Sequence, residues 1–320
     1  MNGGVGHETD IGLPGIGFPA DGSRSLKRSD AGGRRTYRDR RNSRYVSQPL
    51  LPELTNAELA KAFGADMILL NVFDVFQPQV RGIEARDLFA PEVGGGEQKP
   101  ETLNPVTELK RLTGLPIGIN LEPVDESAEA VEALNQLPEG RQATARSLAE
   151  AKRLGCDFVC LTGNPKTGVT HERILKAITL AKREFGGLIL AGKMHGAGTR
   201  GSVLDRESAI GFAEAGADVV LLPAPGTVPG VREEELARTI AEVKARGALA
   251  LAAIGTSQEG ADEATVREIA LSAKRAGADV FHIGDAGFAG MAVPENIQAL
   301  SIAIRGRRHT YVRMAASPVR

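Results

Sequence analysis

The chain has 320 residues, 42% hydrophobic and 4% aromatic with no tryptophan, which suits one aliphatic α/β domain of ~250 residues with additions. No apolar run approaches the ~18 residues that mark a membrane span, the N-terminus MNGGVGHETDIG lacks the basic-then-apolar order of a secretion signal, and Cys156 and Cys160 flank a strand rather than frame a disulfide pattern, so a cytoplasmic protein with no membrane partner is expected. Net charge is −1, yet residues 1–50 carry nine Lys and Arg against five Asp and Glu; this reads as a solvated tail, and with only Tyr37 and Tyr45 there to stack on bases, nucleic acid is not an expected partner.

Residues 1–47, rich in Arg and Gly, are expected to be a disordered or non-native segment. Beyond them four stretches echo one another: AKAFGADMILL, AKRLGCDFVCL, AEAGADVVLL and AKRAGADVFHI. Each runs from an Ala-rich helix end through glycine and aspartate into an apolar strand. Gly155, Gly216 and Gly277 are spaced by 61 residues; at about 30 residues per βα unit, each repeat holds two units. Gly186 and Gly247, again 61 apart, precede the intervening strands in GLILAG and GALALAAIG.

In chain order the predicted strands are 66–73, 115–121, 157–162, 188–193, 218–223, 248–254 and 279–283. Predicted helices lie at 105–113, 142–154, 170–184, 205–215, 231–246, 263–276 and 293–305, and the Pro- and Gly-rich residues 75–104 read as an extended loop. Strands apolar on both faces, alternating with helices, predict a parallel sheet of the α/β class, a (β/α)8 TIM barrel in a single domain over 48–320. Seven strands need an eighth. One candidate lies inside 36–51; the other is HTYVRM at 309–314. Barrels commonly hold phosphate after strands seven and eight, and the glycine-rich loops IGTSQEG (254–260) and IGDAGFAG (283–290) suit that role. This favours the N-terminal candidate and an imperfect first strand.

In such a barrel the chemistry sits at the C-terminal strand ends. Lys193 and His195 are two residues apart, so on a strand they share a face. A desolvated lysine can clamp an anion, and histidine moves protons near neutral pH. Lys193, His195 and Glu122 are therefore the candidate catalytic residues. Asp74 and Glu122 are the candidate metal ligands, with Mg²⁺ the expected ion. Asn71, Asn120, Thr162, Asn164, Arg200, Gly255, Thr256, Ser257, Gly284, Asp285 and Gly287 are candidate substrate or phosphate contacts. Glycines there let backbone N–H groups approach an anion, and hydroxyls add donors. His282, inside its strand, reads as either a ligand or a buried hydrogen-bonded side chain; His171 and His309 read as structural. GAGTRG (196–201) fits G-x-G-x-x-G, but the next strand ends in LLPAPG with no acidic residue for a ribose, so no nucleotide cofactor is expected.

The stretches LLNVFD, GINLEP, CLTGNP, GKMHGAG, LLPAPGTVPG, AIGTSQEG and HIGDAGF together resemble a bacterial group of aldolase-type TIM-barrel proteins, sometimes labelled phosphoenolpyruvate phosphonomutase-like or haloacid dehalogenase-like hydrolase. The resemblance covers residues 48–320 and implies a barrel that binds an anion. In the phosphonomutase and isocitrate lyase group it implies Mg²⁺-binding carboxylates and a Lys/Cys/His-type loop. GKMHG echoes that loop with Met194 in the cysteine position, while the acidic cluster is not matched clearly and the dehalogenase D-x-D motif is absent. The expected function is lyase or isomerase chemistry on a small phosphorylated or carboxylated metabolite through an enolate-like intermediate. The alternative is a non-catalytic phosphometabolite-binding barrel, a sensor or scaffold. A homo-oligomer is expected by analogy with other barrels.

Overall fold

The computed structural model describes residues 49–83, 103–125, 135–196, 203–285 and 290–320, and the backbone of Leu13–Gly17. Its elements are β1 (Leu13–Gly17), α1 (Asn56–Ala62), β2 (Met67–Leu70), α2 (Pro105–Thr113), β3 (Ile117–Asn120), α3 (Ala145–Arg153), β4 (Phe158–Leu161), α4 (His171–Glu184), β5 (Leu188–Gly192), α5 (Arg206–Ala215), β6 (Val219–Pro223), α6 (Glu233–Ala245), β7 (Leu249–Ile254), α7 (Glu263–Arg275), β8 (Val280–Ile283) and α8 (Pro294–Ala315). All seven predicted strands are present as β2 to β8, each pairing in parallel with the next in a curled sheet. The backbone of β1 lies beside both edges, with Ile16 opposite Met67 and opposite His282. The rest of residues 1–47, and positions 84–102 of the predicted 75–104 loop, lie outside the described residues.

Alternation along the strands sorts their side chains into two cores. One face of the sheet packs Ile68, Ile119, Val159, Ile189, Val220 and Phe281 against helix residues such as Leu109, Leu148 and Ile240. The other face gathers Met67, Leu69, Phe158, Cys160, Leu190, Leu221, Leu251 and Val280, a separate apolar cluster with no helix residue in it. This is the inside of the curl. Gly118 belongs to the inner set by register, and a Cβ there would fall 2.3 Å from the Phe158 ring, so the missing side chain on β3 is the space that Phe158 of β4 fills.

The repeated Gly-x-Asp step has a structural cause. The glycine ends the helix in a left-handed conformation, as at Gly216 with φ 100°. The aspartate then clamps the foot of the preceding strand at two points. Asp157 donates its N–H to Ile117 O (2.8 Å) and its Oδ2 accepts the Ile117 N–H (2.8 Å). Asp218 makes the same pair with Ile189 (2.9 and 2.8 Å), and Asp279 with Ala250 (2.9 and 3.0 Å). Each ring satisfies a strand-end N–H and pins two neighbouring strands in register. Lys110 and Lys244, from the helices before β3 and β7, complete two of the clamps on the aspartates' other oxygen.

The candidate strand at 309–314 is not one: those residues belong to α8. Gly306, at φ 79°, kinks that helix. Beyond the kink the Thr310 hydroxyl donates to Gly306 O and meets the Ser301 hydroxyl at 2.9 Å. Arg305 and Arg313 both bind the Asp66 carboxylate at the foot of β2. Burial pushes the Asp66 carboxyl up and the two guanidiniums pull it back. HTYVRM is therefore held on the helical layer by polar contacts that hydropathy does not register.

Replacing the clamp aspartate at position 218 with alanine strands the buried Ile189 N–H and is expected to cost about 1–3 kcal/mol. Chemical denaturation checks it; an unchanged midpoint for Asp218→Ala removes the clamp from the account of the fold.

Candidate active site

The C-terminal ends of β2, β3 and β4 continue the inner face with polar residues. Asn71, Asn120 and Thr162 stand two residues beyond Leu69, Gly118 and Cys160, so by alternation they cap the inner cluster. A connected network holds them. Arg141 Nη2 donates to Glu122 Oε1 (2.9 Å). Asn164 donates its Nδ2 to the same oxygen (2.9 Å) and its backbone N–H to Glu122 Oε2 (2.8 Å). Asn164 and Asn71 exchange amide hydrogen bonds (2.7 and 2.9 Å), and Asn120 Nδ2 donates to Asn71 Oδ1 (3.0 Å). Glu122 is 1% exposed and both of its oxygens are engaged. Asp74 Oδ1 accepts the Phe76 N–H (2.9 Å) and abuts Gly140, where a Cβ would lie 1.8 Å away. Glu122 and Asp74 thus fit poorly as an Mg²⁺ pair or as a free base, and among the described residues no three His, Cys, Asp or Glu side chains group as a metal site.

Strand β5 ends at Gly192, where a Cβ would sit 2.0 Å from Leu221 O of β6. Lys193 is the first residue past β5, as Asn71 is past β2 and Thr162 past β4. Met194, between Lys193 and His195, packs against the inner cluster, and Lys193 follows Ile189 and Ala191 of the outer set. Lys193 is nonetheless 6% exposed, and burial lowers its ammonium below the usual lysine range. Its neighbours are two imidazoles. His195 is pushed down to about 4, by burial first and then by the Lys193 charge. His171, the first residue of α4, is lowered by burial and by Lys193, with Asp205 opposing from 3.5 Å. His171 was read from the sequence as structural; its place beside Lys193 depends on α4 packing over β5, which no local pattern records.

The loops after β7 and β8 differ from a plain phosphate cradle. Gly255 is buried, whereas Thr256 and Ser257 are exposed, and the Thr256 hydroxyl donates to Thr227 O. Gly284 lies against Ile254 O, the His282 ring and Glu259. Glu259, which has no local signature in IGTSQEG, is 7% exposed and its Oε2 has no hydrogen-bond partner among the described residues. Burial, with a contribution from the Asp285 charge, raises its carboxyl to about 7. His282 is buried on the inner face, and burial alone holds its imidazole well below the usual value. Arg200 and Gly287 lie outside the described residues.

Backbone strain marks the same end of the sheet. Among the described residues the non-glycine positions with positive φ are Val72 (56°), Lys166 (66°), Thr256 (58°) and Ser257 (79°). All follow the C-terminal ends of β2, β4 or β7. A β-branched residue in that region is strained by about 1–3 kcal/mol, and such strain gathers where the chain is shaped for a ligand.

A family profile matches residues 41–320. The chain belongs to the DUF7916 family, described as a domain of unknown function. A comparison with curated proteins gave no match to this DUF7916 member. Among solved structures it is similar to a native KDPGal structure (11% identity, TM-score 0.44, covering 83% of this chain and 91% of that one). It is also similar to thiamine phosphate pyrophosphorylase from Pyrococcus furiosus (15%, 0.41, 78% and 87%) and to a Burkholderia cenocepacia protein named as a lyase/mutase (16%, 0.43, 74% and 78%). Likeness at this level assigns no reaction, which rests on the side chains of this chain. No helix among the described residues is long and apolar enough to cross a membrane.

The histidines give a pH signature. His195 has a folded value of about 4 against an ordinary 6.5. Between those values the unfolded chain binds the proton and the folded chain does not, so this contribution to stability is present above pH 6.5 and is lost as pH falls toward 4. Glu259, raised to about 7, acts in the opposite sense between its ordinary 4.5 and 7. Comparing His195→Gln with the parent isolates the first effect: the parent should lose more stability than the variant as pH drops from 6.5 to 4. Parallel stability curves for the two proteins refute the burial of a neutral imidazole.

Proposed function

We propose that this protein is a TIM-barrel enzyme of lyase or isomerase type, acting on a small phosphorylated or carboxylated metabolite. The single observation that carries the reading is Lys193, buried at the end of β5 with its ammonium disfavoured and two imidazoles beside it whose protonation is disfavoured by burial and by the Lys193 charge. A buried cation whose charge is disfavoured gains when an anion arrives. A substrate phosphate or carboxylate supplies that anion. By offsetting the Lys193 charge it also removes one of the two causes that hold His195 down, which brings the imidazole toward the range where it exchanges protons. His195 then takes a proton from the carbon next to a carbonyl. The electron pair moves onto the carbonyl oxygen, where Lys193 holds the developing negative charge. Return of the proton to the neighbouring carbon gives isomerisation; in cleavage His195 instead takes the proton of a hydroxyl on the β carbon, that carbon becomes a carbonyl as the bond between the α and β carbons breaks, and the released pair forms the enolate whose oxygen Lys193 holds. The phosphonomutase-like resemblance of GKMHG supports the same substrate class.

The reading extends to the fold. We propose that β1 closes the sheet as the eighth strand of the barrel, because Ile16 pairs with Met67 on one edge and with His282 on the other.

The test is a thermal-shift panel of phosphoenolpyruvate and phosphorylated sugars. A ligand that binds only the native state raises the melting temperature. The Lys193→Ala protein should melt cooperatively but lose the shift, and turnover of any hit should vanish with it. A shift of equal size in Lys193→Ala would falsify the assignment.

A further inference from the structure

The amide network at the ends of β2 to β4 has a fixed polarity, and it ends on an unmet acceptor. Glu122 can only accept, so the Asn164 atom facing it at 2.9 Å is the amide nitrogen. The Val72 backbone N–H can only donate, so the Asn71 atom facing it at 3.0 Å is the amide oxygen. That oxygen also receives Asn164 Nδ2, and the Asn120 atom turned to it at 3.0 Å must again be nitrogen. Asn120 is thereby compelled to turn its oxygen away from Asn71. Asn120 Oδ1 is buried with no hydrogen-bond partner among the described residues, in a residue only 3% exposed.

The next strand repeats the situation. Asn120 pairs in register with Cys160, and Thr162 stands two residues further along the same inner face. Thr162 is 5% exposed, and its hydroxyl is likewise buried without a partner among the described residues. Two orphaned polar atoms on adjacent strands, both above the apolar interior, are costly if nothing meets them.

We propose that Asn120 Oδ1 and Thr162 Oγ1 form a subsite for a hydrogen-bond donor, a hydroxyl or amino group of the substrate, and not for its phosphate or carboxylate. A bare amide oxygen repels an anion, and the network allows no flip that would present the NH₂ instead. Resting on the reading of Lys193 as the anion's partner, this makes the substrate a phosphorylated or carboxylated compound that also carries a hydroxyl or amine. Arg141 becomes a positioning residue, because it anchors the carboxylate from which the polarity propagates.

Calorimetric titration of the full chain with two matched pairs tests it: glycerol 3-phosphate against propyl phosphate, and glycerate against propionate. The hydroxylated member of at least one pair should bind about tenfold more tightly, as one well-placed hydrogen bond gives. The preference should fall away in Thr162→Val, a near-isosteric change, and in Asn120→Leu, while the deoxy partner keeps its affinity. Lys193→Ala should weaken both members alike. Equal binding within both pairs, or a preference that survives both variants, overturns the donor subsite and leaves the anion reading standing. Binding of none of the four overturns both.

Discussion

The interaction on which the architecture depends is the two-point clamp between an aspartate at the foot of one strand and the first or second residue of the strand before it. A curled parallel sheet has strand feet whose N–H groups face no ladder partner and no helix. Asp157, Asp218 and Asp279 satisfy those of Ile117, Ile189 and Ala250. Because the same residue returns its own N–H to the carbonyl of its partner, a one-residue slip would break both bonds at once. The clamp sets the register, the register sorts inner from outer side chains, and that sorting places Asn71, Asn120 and Thr162 over the apolar interior.

This explains why so much of the fold was legible. The period of 61 residues is the spacing of the clamp, one aspartate for every two strands, and it stands in the sequence as Gly-x-Asp. The seven strands and their following helices could be read from it because glycine, aspartate and the apolar run each answer a local need. The N-terminal strand could not. LPGIG carries no clamp motif, and the strand-like sequence of this region, RYVSQPLL, lies inside 36–51 rather than at 13–17, where the backbone pairs with both edges. The misreading of 309–314 as a candidate strand has a similar source: its helical course is fixed by Gly306 and by contacts to Asp66, some 250 positions away in sequence.

The candidate site was legible as a list of polar strand ends, less so as chemistry. Alternation was the right tool for Asn71, Asn120 and Thr162, which lie on or near intact strands. The same alternation puts Lys193, the first residue past β5, in line with Ile189 and Ala191 of the outer set rather than with the inner face. Glu122 looked like a base or a metal ligand because a carboxylate at a barrel mouth usually is one. Its engagement by Arg141 and Asn164 depends on a partner 19 residues and one 42 residues away, which spacing cannot disclose. His171 and Glu259 escaped notice for the same reason: burial and a neighbour's charge make them unusual, and neither has a local signature.

The clamp also defines what a unit of this protein is. An aspartate that precedes an even strand and serves the odd strand before it makes a pair of strands, with their helices, the smallest piece that holds a whole clamp. A chain cut between β4 and β5, or between β6 and β7, leaves every observed clamp whole. A cut between β5 and β6 separates Asp218 from Ile189 and leaves an open end on each fragment. Reassembly from halves, and tolerance of new termini, should therefore follow the even-numbered joints of the sheet, so that the molecule behaves as paired modules even though its core is continuous.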